Sequence, residues 1–171
     1  MKKFFKYFIW ILVIGFIIIQ FFQPKQNKSD VVAVNDIATK YAVPADVMAT
    51  LKTSCYDCHS NNTKYPWYSK IQPGAWFLSD HVNEGKRELN FNEFASYRIG
   101  RQYRKLEEIG NEIDDEMPLA SYTFIHRDAV LTPEQKSAIK NWVIATRDSI
   151  KAHYPEDSLK RKAPPKPVAV K

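Results

Sequence analysis

Cys55-Tyr56-Asp57-Cys58-His59 is the stretch whose residue types and spacing could do chemistry. Two thiols separated by two residues and followed at once by an imidazole form the C-x-x-C-H pattern of haem attachment. The thiols of Cys55 and Cys58 would add across the two vinyl groups of haem and become thioethers. Two intervening residues make about one helical turn, which sets both sulfurs along one edge of the porphyrin. His59 then falls under the metal as the proximal iron ligand. Two other chemistries use similar residues. A redox-active C-x-x-C expects a strand before it and a βαβ setting, and neither is read here. A zinc site needs four ligands. With two cysteines in the chain, His59 and one of the distant His81, His126 or His153 would have to complete it.

A second ligand candidate lies well downstream, in Asp114-Asp115-Glu116-Met117-Pro118-Leu119. A thioether is a soft ligand that favours ferrous iron, and Met/His ligation raises the reduction potential. Pro118 has no N–H and fixes the backbone beside the sulfur. Met117 is therefore the distal-ligand candidate, set against the plain reading of a methionine filling a core gap. His81 is the alternative distal ligand, at helical spacing from Phe77 and Leu78 on a partly apolar face. A packed and hydrogen-bonded histidine would satisfy the same pattern. Trp67, Tyr68 and Trp76 are candidates to wall the haem, although ordinary core packing would also use them.

These residues need elements to position them, and the chain reads as all-α. Pro44 starts a helix whose Val47, Met48 and Leu51 recur at helical spacing, and which delivers Cys55 at its C-terminal end. Asn61 and Asn62 suit the turn that follows. Tyr65-Pro66-Trp67-Tyr68 reads as an aromatic loop. A second helix is expected from Pro73 to Leu89. Asn90 and Glu93 approximate a capping box for a third helix, from Phe91 to about Ile109. The clearest start is Leu131-Thr132-Pro133-Glu134-Gln135, with Thr132 as N-cap, Pro133 at N1 and Gln135 closing the box. Ile139, Trp142, Val143, Thr146 and Ile150 then form one apolar stripe. This terminal helix is expected to cross the first and close the haem pocket.

The ends of the chain carry a different message. The formal charge of +6 is concentrated there. Ten basic residues flank the middle, and between Val31 and Leu159 the chain has 15 basic and 18 acidic residues. That slightly acidic body argues against nucleic-acid binding, which needs a basic face on the domain itself. Lys2, Lys3 and Lys6 precede a run from Tyr7 to Phe22 that is apolar except at Gly15 and Gln20. Positive residues followed by an apolar run form an export signal. No small-x-small cleavage site follows, so an uncleaved transmembrane anchor is expected. The run is short against the roughly 17–25 residues of a spanning helix, with Phe4 and Phe5 extending it. The positive-inside rule leaves the body outside the cytoplasm. Residues 1–30 thus read as anchor and tether, 31–154 as the domain, and 155–171 as a basic, proline-rich disordered tail.

Taken as a set, several stretches resemble the bacterial haem-binding domain family, and more distantly class I cytochromes c. They are Cys55-Tyr56-Asp57-Cys58-His59-Ser60-Asn61, Tyr65-Pro66-Trp67-Tyr68-Ser69, Glu84-Gly85-Lys86-Arg87, Leu89-Asn90-Phe91, and Met117-Pro118 with Tyr122 and His126. The resemblance covers roughly residues 44–152. It implies one covalent haem c, a cytochrome c-like mono-haem helical domain and a periplasmic site. Relatives of this domain are joined to cytochrome c and di-haem peroxidase modules, which implies a redox chain. Gln72-Pro73-Gly74 departs from the resemblance, because a more apolar run is expected there. With no nucleophile or acid/base constellation, the expected function is electron transfer at the inner membrane, with a periplasmic or inner-membrane redox protein as partner. A peroxidase-like enzyme or a gas or redox sensor, with an open or His-ligated sixth position, is the alternative.

Overall fold

The structure, a computed structural model, describes residues 2–160. Its described secondary structure is entirely helical: α1 (Lys2–Ile19), α2 (Ile37–Lys40), α3 (Ala45–Ser54), α4 (Tyr56–His59), α5 (Gly74–Glu88), α6 (Ile99–Glu112), α7 (Ala120–Ile125), α8 (Pro133–His153) and α9 (Glu156–Leu159). Short 3-10 turns lie at Trp67–Lys70, Phe91–Ser96 and Arg127–Ala129. The all-α expectation holds. The chain forms two compact units. One contains the described residues up to Val32 with Tyr56–Phe91, and the other Ala33–Cys55 with Asn92 onward.

In the first unit, α1 carries its lysines at the start and exposes nearly every side chain that follows; Phe4 is 78% and Ile18 52% exposed. Among the described residues no helix is long and apolar enough to cross a membrane. The expected transmembrane span is not supported by α1. The lysine-free part of α1 runs only from Tyr7 to Ile19, about 20 Å at 1.5 Å per residue, against a hydrocarbon core of about 30 Å.

The end of the expected anchor and the start of the expected tether are docked on the body of the unit, with the Gln23 side chain donating to the Lys70 carbonyl at 3.2 Å. Gln72, fully buried, donates from its side chain to the Phe22 carbonyl at 2.8 Å and from its backbone to Gln20 Oε1 at 2.9 Å. The Trp76 indole N–H donates to the same Phe22 carbonyl at 2.9 Å. Gln72 is thus the reason this position is not apolar: it satisfies a strand of backbone that crosses it. Beyond Gln72, α5 packs on α4 and on the Trp67–Lys70 turn, which occupies the expected aromatic loop.

In the second unit, α8 has the expected start. The Thr132 side chain accepts from Gln135 N and the Gln135 side chain accepts from Thr132 N, with Pro133 inside the first turn. Its buried face is Ile139, Trp142, Val143, Thr146 and Ile150. This face packs on α3 and α6, and the Trp142 indole donates to the Ala42 carbonyl at 3.1 Å. Each large apolar side chain so buried stabilises the fold by about 1.5–3 kcal/mol. The expected third helix over 91–109 is broken into a 3-10 turn and α6. Phe94 is fully buried, and the Gln102 side chain donates to the Ala95 and Tyr97 carbonyls. Those carbonyls are therefore occupied by a side chain at the point where an uninterrupted helix would use its own backbone.

Packing in this unit continues into α9. Leu159 of α9 is buried, and Gly100 lets α6 approach so closely that a Cβ there would lie 2.7 Å from the Ser158 carbonyl. The remainder of the expected tail, from Arg161, lies outside the described residues.

Candidate functional site

Cys55 ends α3 as its C-cap, with its N–H bonded to the Leu51 carbonyl at 2.9 Å. The next four residues form α4, which carries Cys58 and His59. Both cysteines are half-buried, and no disulfide joins them.

His59 is held by two backbone carbonyls. Its Nδ1 lies 2.9 Å from Gly85 O and 3.1 Å from Leu89 O, near the C-terminal end of α5. A carbonyl oxygen can only accept, so Nδ1 carries a proton, and in the neutral ring the lone pair is on Nε2. This is the arrangement in which a histidine binds a metal through one nitrogen while the other fixes its orientation. Phe91, almost fully buried, meets the imidazole edge-on at 6.4 Å and stacks on Tyr56 at 4.9 Å.

Gly85 explains how α5 comes close enough. A Cβ at this position would lie 2.9 Å from the Cys58 carbonyl oxygen and 3.2 Å from Cys58 Cβ. Only a glycine permits that approach. The stretch Glu84-Gly85-Lys86-Arg87 carries part of the family resemblance, but the job of Gly85 was not read from it. A glycine inside a helix costs about 1 kcal/mol against alanine, and that was the available signal.

Burial, then the neighbouring Asp57 carboxylate, pushes the Cys58 thiol up to about 11. Redox-active C-x-x-C sites use the opposite shift. Among the described residues no three His, Cys, Asp or Glu side chains gather in a group that could hold a metal ion, so a protein-only zinc cage is not formed.

The other expected site residues have these positions. Tyr68 is half-buried, and its phenol is raised by burial and then by Asp57 and Cys58, which places it beside the motif. Trp67 is 77% exposed and meets Tyr68 edge-on. Trp76 is exposed and bonded to the segment after α1. His81 bonds through Nδ1 to Phe77 O at 2.8 Å and lies against the Phe77 ring, with centroids 4.1 Å apart. Met117 belongs to the second unit. It is half-buried and non-helical, with its N–H bonded to Glu112 O at 2.9 Å and a cis peptide before Pro118. In the same unit Tyr122 and His126 stack with centroids 4.3 Å apart.

A profile of the haem-binding domain family matches residues 14–145. The chain belongs to that family. No curated protein and no solved structure matches it. The family match begins within α1, so this haem-binding domain includes the segment docked on Gln72 as well as the motif. The residues of the first unit fit the group. His59 offers an imidazole already set in one tautomer by two carbonyls, and Cys58 precedes it on the same turn.

Proposed function

We propose that this haem-binding domain protein is an exported, membrane-attached c-type haem protein that transfers electrons. Cys55 and Cys58 bind haem c through thioether bonds, and His59 Nε2 holds the iron. The observation that carries this reading is the pair of carbonyls, Gly85 O and Leu89 O, on His59 Nδ1. They fix the ring and raise its basicity as a ligand. Bound there, the group supplies one-electron ferric/ferrous chemistry. Phe91 covers one edge of the imidazole and limits water beside it. Met117 is the distal ligand in this reading, supported by its thioether and its non-helical setting before Pro118.

The lysine-led, exposed apolar surface of α1 supports attachment to a membrane, with the body on the outer face of the bacterial inner membrane. The redox partner is a protein of that membrane or of the periplasm.

The test is co-expression of the full chain with a c-type maturation system. Covalent haem that survives denaturation, and is lost in Cys58→Ser, is expected. Ferric and ferrous visible spectra then follow on Met117→Ala and His81→Ala. The methionine-to-ferric-iron band should vanish in Met117→Ala alone. A wild-type chain that binds no haem sinks the proposal. Loss of low-spin character in His81→Ala instead would assign the sixth position to His81.

A further inference from the structure

The segment after α1 contains one residue whose polar atoms are all engaged. Asn27 N donates to the Tyr65 hydroxyl at 2.5 Å, and Asn27 O accepts from Thr63 N at 3.0 Å. Its side-chain Nδ2 donates to Ser60 O and to Thr63 Oγ1, both at 2.9 Å. Its Oδ1 accepts from Lys86 Nζ at 2.6 Å. Thr63 in turn donates from its hydroxyl to the Asp57 carbonyl at 2.6 Å.

Two of these partners adjoin the proposed iron ligand. Ser60 follows His59 in the chain, and Lys86 follows Gly85, whose carbonyl receives the His59 Nδ1 proton. A closed circuit results: His59, Ser60, the Asn27 side chain, Lys86, Gly85, and back to His59. One amide thereby links the Ser60 carbonyl, next in the chain to the imidazole, to the side-chain ammonium of Lys86, next in the chain to the carbonyl that orients it. The circuit is made by a residue from the N-terminal segment, 33 positions from Ser60 and 59 from Lys86.

We propose that Asn27 is a positioning residue for His59, fixing the Nδ1–H to Gly85 carbonyl bond that sets the direction and basicity of the iron-binding nitrogen. The proposal rests on the haem reading above, but it concerns an imidazole whose proton can be followed with or without haem. The alternative is that Asn27 only secures the N-terminal segment. A securing role lowers stability without touching the imidazole. A positioning role changes the imidazole itself.

The experiment uses the full chain, labelled with ¹⁵N-histidine, in haem-loaded and unloaded forms. Solvent exchange of the His59 Nδ1 proton is measured by NMR in wild type, Asn27→Ala and Gln23→Ala. Gln23 is the control, since its side chain bonds only the Gln20 and Lys70 carbonyls. In Asn27→Ala the exchange should be about tenfold faster, the equivalent of weakening one hydrogen bond, while Gln23→Ala matches wild type. Wild-type exchange in Asn27→Ala, with or without a loss of thermal stability, overturns the proposal. If Asn27→Ala does not fold, Asn27→Asp keeps the acceptor for Lys86 and removes both amide donors; wild-type exchange there overturns the proposal equally. A chain that takes up no haem refutes the functional reading alone, because the exchange comparison on the unloaded chain still decides the role of Asn27.

Discussion

Gly85→Ala tests the closest approach in the first unit. The added Cβ would stand 2.9 Å from the Cys58 carbonyl oxygen, 3.2 Å from Cys58 Cβ and 3.3 Å from the Cys58 carbonyl carbon. Two of these are backbone atoms and the third is the root of a side chain, so none can swing aside. Restoring an ordinary contact of 3.4 Å requires α5 to withdraw by about 0.5 Å from the present 2.9 Å. The same withdrawal would lengthen the His59 Nδ1 to Gly85 O bond from 2.9 Å toward about 3.4 Å, outside the usual range of 2.7–3.2 Å. Overpacking of this kind costs about 1–3 kcal/mol, and alanine regains about 1 kcal/mol of helix propensity. The balance is a loss of about 0–2 kcal/mol, with a melting point lower by about 2–4 °C per kcal/mol for a chain of this length. Gly110 is the control. There a Cβ meets only Val143 Cγ1 at 3.6 Å, so Gly110→Ala should raise stability by about 0.4–1 kcal/mol. Thermal unfolding by circular dichroism reads both variants, and covalent haem yield reads the site. A Gly85→Ala protein that melts above wild type by as much as Gly110→Ala, with full haem yield, would refute the reasoning.

Three further outcomes are expected. Thr132→Ala removes the N-cap of α8 and should cost about 1 kcal/mol in chemical denaturation; no change would mean that the box seen at Thr132 and Gln135 is not formed in solution. Burial, then the Tyr154 phenolate, raises the Tyr41 phenol from 10.0 to about 12. Between those values the folded chain binds more protons than the unfolded one, so stability falls as pH rises through that window. Tyr41→Phe should lose this alkaline dependence. It should also be less stable at neutral pH by about 1–3 kcal/mol, because Gln102 Oε1 is left without its hydroxyl donor. A chain shortened to begin at Val31 removes Gln20 and Phe22 from the buried Gln72. It should melt several degrees below a chain beginning at Gln20, and equal melting points would show that the segment is a tether after all.

What was legible in the sequence was local. Thr132, Pro133 and Gln135 lie within four residues of one another and form their cap without help from elsewhere. Cys55, Cys58 and His59 are likewise one turn of chain, so their chemistry could be read before any fold was known. The errors came where a distant partner decided the outcome. Asn90 resembles an N-cap, and its side-chain amide donates to Asn61 Oδ1 at 2.8 Å. The helix expected after it is interrupted where Gln102 reaches back to the Ala95 and Tyr97 carbonyls. The polar, proline-containing segment Gln23–Asp30 has the composition of a linker, yet Asn27 finds its partners at Ser60, Thr63, Tyr65 and Lys86. Gln72 departs from the apolar run expected there. That polar residue was the trace of the docked segment.

The division between what could and could not be read has a chemical origin. Cys55, Cys58 and His59 supply donor atoms, and donor atoms are written in residue types. The orientation of His59 comes from the carbonyls of Gly85 and Leu89, and every residue has a carbonyl. Such a partner leaves no mark unless something else at that position is unusual. At 85 the mark is the missing side chain, because any Cβ would collide with Cys58. At 89 there is none. The same reasoning separates haem binding from haem tuning. The motif can be recognised in isolation, whereas the basicity of His59 Nε2 depends on how firmly α5 is held against α4. That grip includes the link from Asn27 to Lys86, contributed by a part of the chain that composition alone assigns to the tether.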